Sequence, residues 1–167
     1  MRWHMSWRAD PRARPLADRH YNRQSPGSPQ FAPPGRCAVF LTQEADALWI
    51  TSWPFARYTK HEWAGAWVNS LFRNESSHLS STLIREAVAA TYWHYLHTES
   101  WRVDPLPKLG MVTFVDSSEV RSTNPGCCYK HAGFEHVGFT KAAGLYALQL
   151  KPECFPEPQR AKERVTV

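Results

Sequence analysis

No apolar run in this chain approaches the ~20 residues that cross a bilayer, so no segment reads as a membrane span. Its opening, MRWHMSWRADPRARP, also lacks the apolar core of a secretory signal, and a cytoplasmic location is expected. Cysteine is scarce. Cys37, Cys127, Cys128 and Cys154 form no CxxC pair, and the adjacent Cys127 and Cys128 cannot readily bridge each other, so neither a disulfide framework nor a zinc ribbon is indicated. The eight histidines follow no metal-binding motif; His94 and His97 lie three apart but fit the surface end of a helix, and no metal is expected. Lysine is missing from the first 36 residues, which hold seven arginines, and no internal repeat is visible.

What the chain does have is enough apolar and aromatic matter for one core. At 167 residues, 43% hydrophobic and 13% aromatic with eight tryptophans, it is too rich for a disordered chain and long enough for a single compact domain. The net charge of +5 and pI near 9.2 suit an anionic partner without requiring one.

Periodicity sets out an order of elements. PLADRHYNRQ predicts a two-turn helix, after which Pro and Gly thicken from Ser25 to Gly35 into an irregular connector. Residues 37–42 and 47–53 are β-rich runs around the turn QEAD and predict a hairpin; 66–72 predicts a third strand. From Ser81 the i, i+4 series Leu83, Ala87, Thr91, Tyr95 predicts the main helix, with Ser80 or Ser81 as its cap. Residues 109–116 read as a strand buried on both faces, Pro125 to Gly133 as a short helix, and FEHVGFT with GLYALQL as a closing strand pair. The Pro-rich tail from Lys151 is expected to fray. The domain layout is then an Arg-rich arm and helix at 1–36, a core domain at 37–150 and a flexible tail at 151–167.

That order, with Tyr129-Lys130-His131-Ala132-Gly133-Phe134 in the form Y-x-x-x-G-F and VGFT following it, resembles the GNAT acyltransferases over residues 37 to 150. The resemblance implies an α+β fold, a GNAT-like mixed central sheet of about six strands flanked by helices. Arg19-His20-Tyr21, SLFRNE and VTFVD before the Tyr129 helix further resemble the Mom-like proteins of bacteriophages, which modify adenine in DNA. This implies a transferase placing an acyl-derived group from acetyl-CoA on an adenine amine, with DNA as partner, in a bacterial or phage-infected cell. Two alternatives stand beside it: a small-molecule or protein N-acetyltransferase, and a non-catalytic nucleic-acid-binding module.

Each candidate residue has a chemical and a plain reading. Tyr129 is placed to protonate a departing thiolate, because a phenol keeps its proton at neutral pH, or it is a core residue of the short helix. Asp116, at a strand's carboxyl end, could accept a proton or orient a base, or cap its own turn. His20 and Tyr21 could supply a base and a stacking ring, or be solvated. GNAT enzymes carry a glycine loop for the pyrophosphate; here RNESSHLSS contains none, leaving Arg73, Ser76, Ser77, Ser80, Ser81 and the helix N-terminus for that task. Trp49, Trp53, Trp63 and Trp67 suit core packing, while the loop with Tyr58, Lys60 and His61, together with Arg12, Arg14, Arg19 and Arg23, could meet nucleic acid.

Overall fold

A computed structural model describes residues 1–53, 63, 65–98, 106–119 and 124–166. Among the described residues seven strands form one sheet in the order β1-β2-β3-β4-β5-β7-β6. They are β1 (Trp3–Met5), β2 (Arg36–Thr42), β3 (Ala47–Trp53), β4 (Trp67–Asn74), β5 (Met111–Val115), β6 (Glu135–Phe139) and β7 (Tyr146–Leu150); the helices are α1 (Arg14–Asp18), α2 (Ser80–His97) and α3 (Cys127–His131). Every neighbouring pair is antiparallel except β4 and β5, which run parallel across the crossover that contains α2. The mixed α+β sheet expected from the sequence is present, with seven strands rather than about six.

The added strand is β1. Its first partner, Trp3↔Thr42, pairs it with β2, and the indole of Trp3 donates to the Leu83 carbonyl at 2.8 Å. A three-residue strand is too short for its alternation to be read in sequence. The tail is also packed: Ala161 is buried, Phe155 stacks on Trp67 at 5.5 Å, and Lys162 exchanges backbone hydrogen bonds of 2.9 Å with Trp3 and Met5. An open edge on β1 supplies unpaired N–H and C=O groups, and Lys162 takes two of them.

Local signals explain most boundaries. α1 stops at Asp18 instead of running to Gln24, so His20 and Tyr21 sit in the loop after it. α2 starts at Ser80 with Leu79 at its cap, and neither Ser80 nor Ser81 caps it, because the Asn74 amide draws on Ser80 Oγ at 2.9 Å. Gly126 precedes α3 at φ 77°, and a Cβ there would stand 2.4 Å from Leu148 Cδ1, which fixes glycine at that turn.

The sheet divides the core. On one face Trp49, Trp67, Leu83, Ile84, Val88 and Leu148 pack under α2, joined by Tyr129 and Phe134. On the other Leu16, Phe31, Val39, Leu41, Ile50 and Leu71 pack under α1. Trp49 and Trp67 are 0% and 1% exposed and Trp53 packs on Trp67, so these three indoles belong to the core. No helix among the described residues is long and apolar enough to cross a membrane.

Candidate active site

The parallel join of β4 and β5 is short: Trp67↔Met111, Val68↔Val112 and Asn69↔Thr113, after which the strands part. A bulge in β4 lies at the same point, since Thr51 pairs with Asn69 and Ile50 with Leu71, leaving Ser70 over. Parting strands cannot close over each other, and a cavity of about 240 Å³ opens between them. His20, Tyr21, Asn69, Ser80, Cys128 and Tyr129 are among its walls, so it is reached by groups from both faces of the sheet.

Tyr129 enters from α3 and is buried, edge-on to Phe72 and Phe134. Its hydroxyl donates to Asn69 Oδ1 at 2.5 Å. Burial pushes its pKa well above the ordinary tyrosine value, with the neighbouring Cys128 adding to the rise, so it stands as a protonated phenol at neutral pH.

His20 and Tyr21 approach from the α1 side, their rings stacked at 4.5 Å. His20 Nδ1 lies 2.6 Å from Asn22 Oδ1, and Asn22 Nδ2 donates to the Ser70 carbonyl at 2.7 Å, which ties the loop to the bulge. Burial lowers the His20 pKa; the hydrogen bonds to Asn22 and the Phe72 carbonyl pull the other way, and Arg73 adds to the lowering. A neutral imidazole at the cavity wall results.

Asp116 takes its capping reading. Its Oδ1 accepts from the Ser118 N–H at 2.9 Å and the Ser118 hydroxyl at 2.6 Å, and these bonds lower its pKa. The carboxylate does not line the cavity; the Asp116 backbone N–H donates to Tyr21 Oη at 3.3 Å instead. Asp116 therefore meets the site through its main chain.

Below β4 an ion-pair group closes the loop. Glu75 accepts from Arg19 at 2.7 and 2.8 Å and from Arg73 Nε, and its pKa falls to about 2, chiefly through Arg19. Arg73 also donates to the Arg19 carbonyl at 2.8 Å. The glycine-free loop is shaped by Asn74, which accepts from the Ser76 N–H and hydroxyl and donates to the His78 carbonyl and Ser80 Oγ. Ser77 is exposed, Ser80 lines the cavity and Ser81 is buried.

The arginines expected at nucleic acid are mostly occupied. Arg12 lies 3.9 Å from buried Asp10, Arg19 holds Glu75, and Arg23 pairs with Asp18 at 2.9 Å while donating to the Ser28 and Gln30 carbonyls. Arg14 is exposed at the start of α1. Tyr58, Lys60 and His61 lie outside the described residues, as do Pro54 and Phe55. His97 stacks on Trp93 at 4.1 Å and bonds its carbonyl, a helix-end contact.

Three asparagines, Asn22, Asn69 and Asn74, organise the site; Asn74 stands beside Arg73 in the sequence as a weak candidate, and Asn22 and Asn69 were not singled out. Asn74 bonds main-chain groups two and four residues on, whereas Asn22 and Asn69 satisfy the Ser70 and Ile50 carbonyls, which only tertiary structure brings near them, so no spacing signals those two.

A second cavity of about 480 Å³ adjoins the first through Ser70 and Leu71. Gln24, Ser25 and Gln30 face it with Phe31 and Pro33. Among the described residues no carboxylate lines either cavity.

No protein-family model matches the chain, nor does any curated protein sequence. Solved structures of similar layout include aminoglycoside acetyltransferase AAC(6')-Ib in complex with coenzyme A, at 17% identity and TM-score 0.45 over 71% of this chain and 68% of that one. Its complex with ribostamycin and coenzyme A gives the same identity and score over 66% of that chain, and a complex with paromomycin and acetyl-CoA gives 14% and 0.43. No residue's role follows from a likeness of this size.

Proposed function

We propose that this protein is an N-acyltransferase that moves an acyl group from a coenzyme A thioester to an amine. The observation that carries the reading is Tyr129: a buried, protonated phenol where β4 and β5 part, in a cavity walled from both faces of the sheet. Beyond Asn69 the edge of β4 has no pairing with β5, so a ligand entering there meets strand edge rather than a closed ladder, although the Ser70 and Leu71 carbonyls already accept from Asn22 and Asn69. The N-terminus of the 18-residue α2 stands at the same opening, and Ser80 lines it. These features fit an acyl-CoA, with Ser76, Ser77, Ser80 and the N–H groups of the first turn of α2 holding its phosphates. Arg73 could join only by leaving Glu75, so the main-chain donors carry more of that task.

Coenzyme A would supply an activated thioester carbonyl. This chain's residues would do the rest. The acceptor nitrogen forms a bond to the acyl carbon as the carbon–sulfur bond breaks, Tyr129 gives its proton to the sulfur, and the proton lost by the nitrogen restores the charge balance. With no carboxylate on either cavity wall among the described residues, the amine arrives uncharged or passes its proton to neutral His20.

The test is incubation with acetyl-CoA and a panel of amines, reading free coenzyme A and acylated products by mass spectrometry. Acceptor-dependent release that falls at least tenfold in Tyr129→Phe supports the reading. A folded protein that neither binds nor consumes acetyl-CoA overturns it.

A second reading, Mom-like modification of an adenine amine in DNA, is favoured by one observation. His20, Tyr21, the Asp116 main chain and Tyr129, the residues carrying that resemblance, meet around one opening. The pairing of Arg12, Arg19 and Arg23 with carboxylates weighs against a broad phosphate-binding face. DNA from expressing cells, digested to nucleosides, would carry a new adenine adduct on this reading and none with Tyr129→Phe.

A further inference from the structure

We infer that Asn69 is the positioning residue of this site, fixing the Tyr129 hydroxyl as a proton donor aimed into the gap between β4 and β5. The inference rests on the acyl-transfer reading for its chemical use, and on geometry for everything else.

Asn69 is 4% exposed and sits one residue before the β4 bulge. Its Nδ2 donates to the Ile50 carbonyl at 3.0 Å and to the Leu71 carbonyl at 3.0 Å. A primary amide has two N–H bonds, and both are spent on groups that only accept. Turning the amide over would set Oδ1 against two carbonyl oxygens, so its orientation is determined by the bulge rather than by chance. Oδ1 is thereby presented to the cavity, 2.5 Å from the Tyr129 hydroxyl and 3.3 Å from Thr113 Oγ1, which also donates to the Asn69 carbonyl at 3.1 Å.

An amide oxygen carries no proton, so in the bond to Tyr129 the phenol is the donor. A tyrosinate in the same place would face a lone pair instead, and a bond made only by the protonated form disfavours ionisation. Burial and the neighbouring Cys128 and Tyr21 act in the same direction, and the Thr113 hydroxyl acts against it. The bulge thus does two things through one side chain. It parts β4 from its regular ladder, and it converts the two carbonyls left over into an anchor for the acid. During transfer the phenol turns its O–H from Oδ1 to the departing sulfur, the O–H bond breaks as an S–H bond forms, and the tyrosinate regains the proton given up by the acceptor nitrogen.

A purely structural Asn69 would support the bulge without governing the titration of Tyr129, and this separates the two roles. Protein labelled with 13C at tyrosine Cζ is titrated by NMR, with Tyr129 assigned by its absence in Tyr129→Phe. In the wild type, Tyr129 is expected to stay protonated after the other resolved tyrosines have ionised. In Asn69→Ser it should ionise at least one pH unit lower, with kcat for acetyl-CoA-dependent transfer falling at least tenfold and KM for acetyl-CoA changing less than threefold. Ionisation of wild-type Tyr129 together with the rest, or an unchanged titration in folded Asn69→Ser, overturns the inference.

Should Asn69→Ser fail to fold, the wild type decides. A slowly exchanging Tyr129 hydroxyl proton with a through-space cross-peak to the Asn69 side-chain amide supports the assignment, and its absence overturns it. If the titration behaves as expected while no acyl-CoA is bound or consumed, the positioning stands and the acyltransferase reading falls.

Discussion

The two faces of the sheet meet at the β4–β5 opening but are built on different principles. On the α2/α3 face Tyr129 packs against Phe72 and Phe134 in the core that holds the indoles, its hydroxyl bonded to the buried Asn69 amide. On the α1 face the side chains nearest the opening are polar and partly solvated: the His20–Tyr21 stack, Asn22 on the bulge, and Glu75 between two arginines. A group whose protonation must be held constant gains from low-dielectric surroundings, where an ionised form is costly. A surface that receives varied partners gains from groups that can exchange one hydrogen bond for another with water. On the proposed acyl-transfer reading, the apolar face supplies the acid and the α1 face supplies the base and the contacts to the acceptor.

Substitutions break this contrast to different degrees. The largest effect is expected for Trp67→Ala on the apolar face: truncating an indole packed against Trp53 and Tyr95 and stacked on Phe155 should cost about 3–5 kcal/mol, read as a fall in denaturation midpoint. Next is Tyr129→Phe, which keeps the ring packing and removes the proton. It should lower kcat by about 100-fold, close to 2.7 kcal/mol, while stability falls by only about 1 kcal/mol for the lost hydrogen bond.

On the α1 face His20→Ala should reduce transfer by about tenfold and leave Tyr129 titration unchanged. Its pH profile sharpens the comparison. Because burial holds the His20 pKa below the ordinary value of 6.5, the neutral form persists as pH falls through that value, and the acidic fall in rate should begin below it. An acidic limb centred above 6.5 would refute a role for this imidazole.

The smallest effect belongs to Glu75→Gln, about 1 kcal/mol for an exposed ion-pair group. Here the sign follows from a lowered carboxylate pKa. The folded value is about 2 against an ordinary 4.5, so the contribution is complete above 4.5 and is lost as pH falls from 4.5 toward 2. Wild-type and Glu75→Gln stability curves should separate near neutral pH, converge over that window, and draw together in high salt.

The hairpin, the main helix, the buried strand and the closing pair were legible because each is either an uninterrupted β-rich run bounded by turn residues or, in the helix, a repeated i, i+4 series. Residues 37–42 and 47–53 are continuous β-rich runs on either side of a polar turn, buried along most of their length, and the Leu83–Tyr95 series repeats over several turns of α2. β1 escaped because three residues show no period, and the packed tail because Phe155 and Ala161 are single anchors in a Pro-rich segment. Asp116 was legible as a strand end but not in its direction: the two serines after it were the sign of the turn it caps.

The candidate site was half legible in the same sense. Tyr129 and the His20–Tyr21 pair stand out by motif and converge on one cavity from positions more than a hundred residues apart. The asparagines do not stand out, since an Asn in a strand reads only as a weak strand former.

By itself the sequence determined the order of elements, the two buried faces and the residue types able to hold or give a proton, because these follow from local propensity and periodic burial. Only the tertiary structure decided where β4 leaves β5, that the Ile50 and Leu71 carbonyls would capture Asn69, and that Glu75 rather than a ligand would hold Arg73. Those outcomes depend on which unsatisfied groups come within 3 Å of one another, a distance that the chain acquires only on folding.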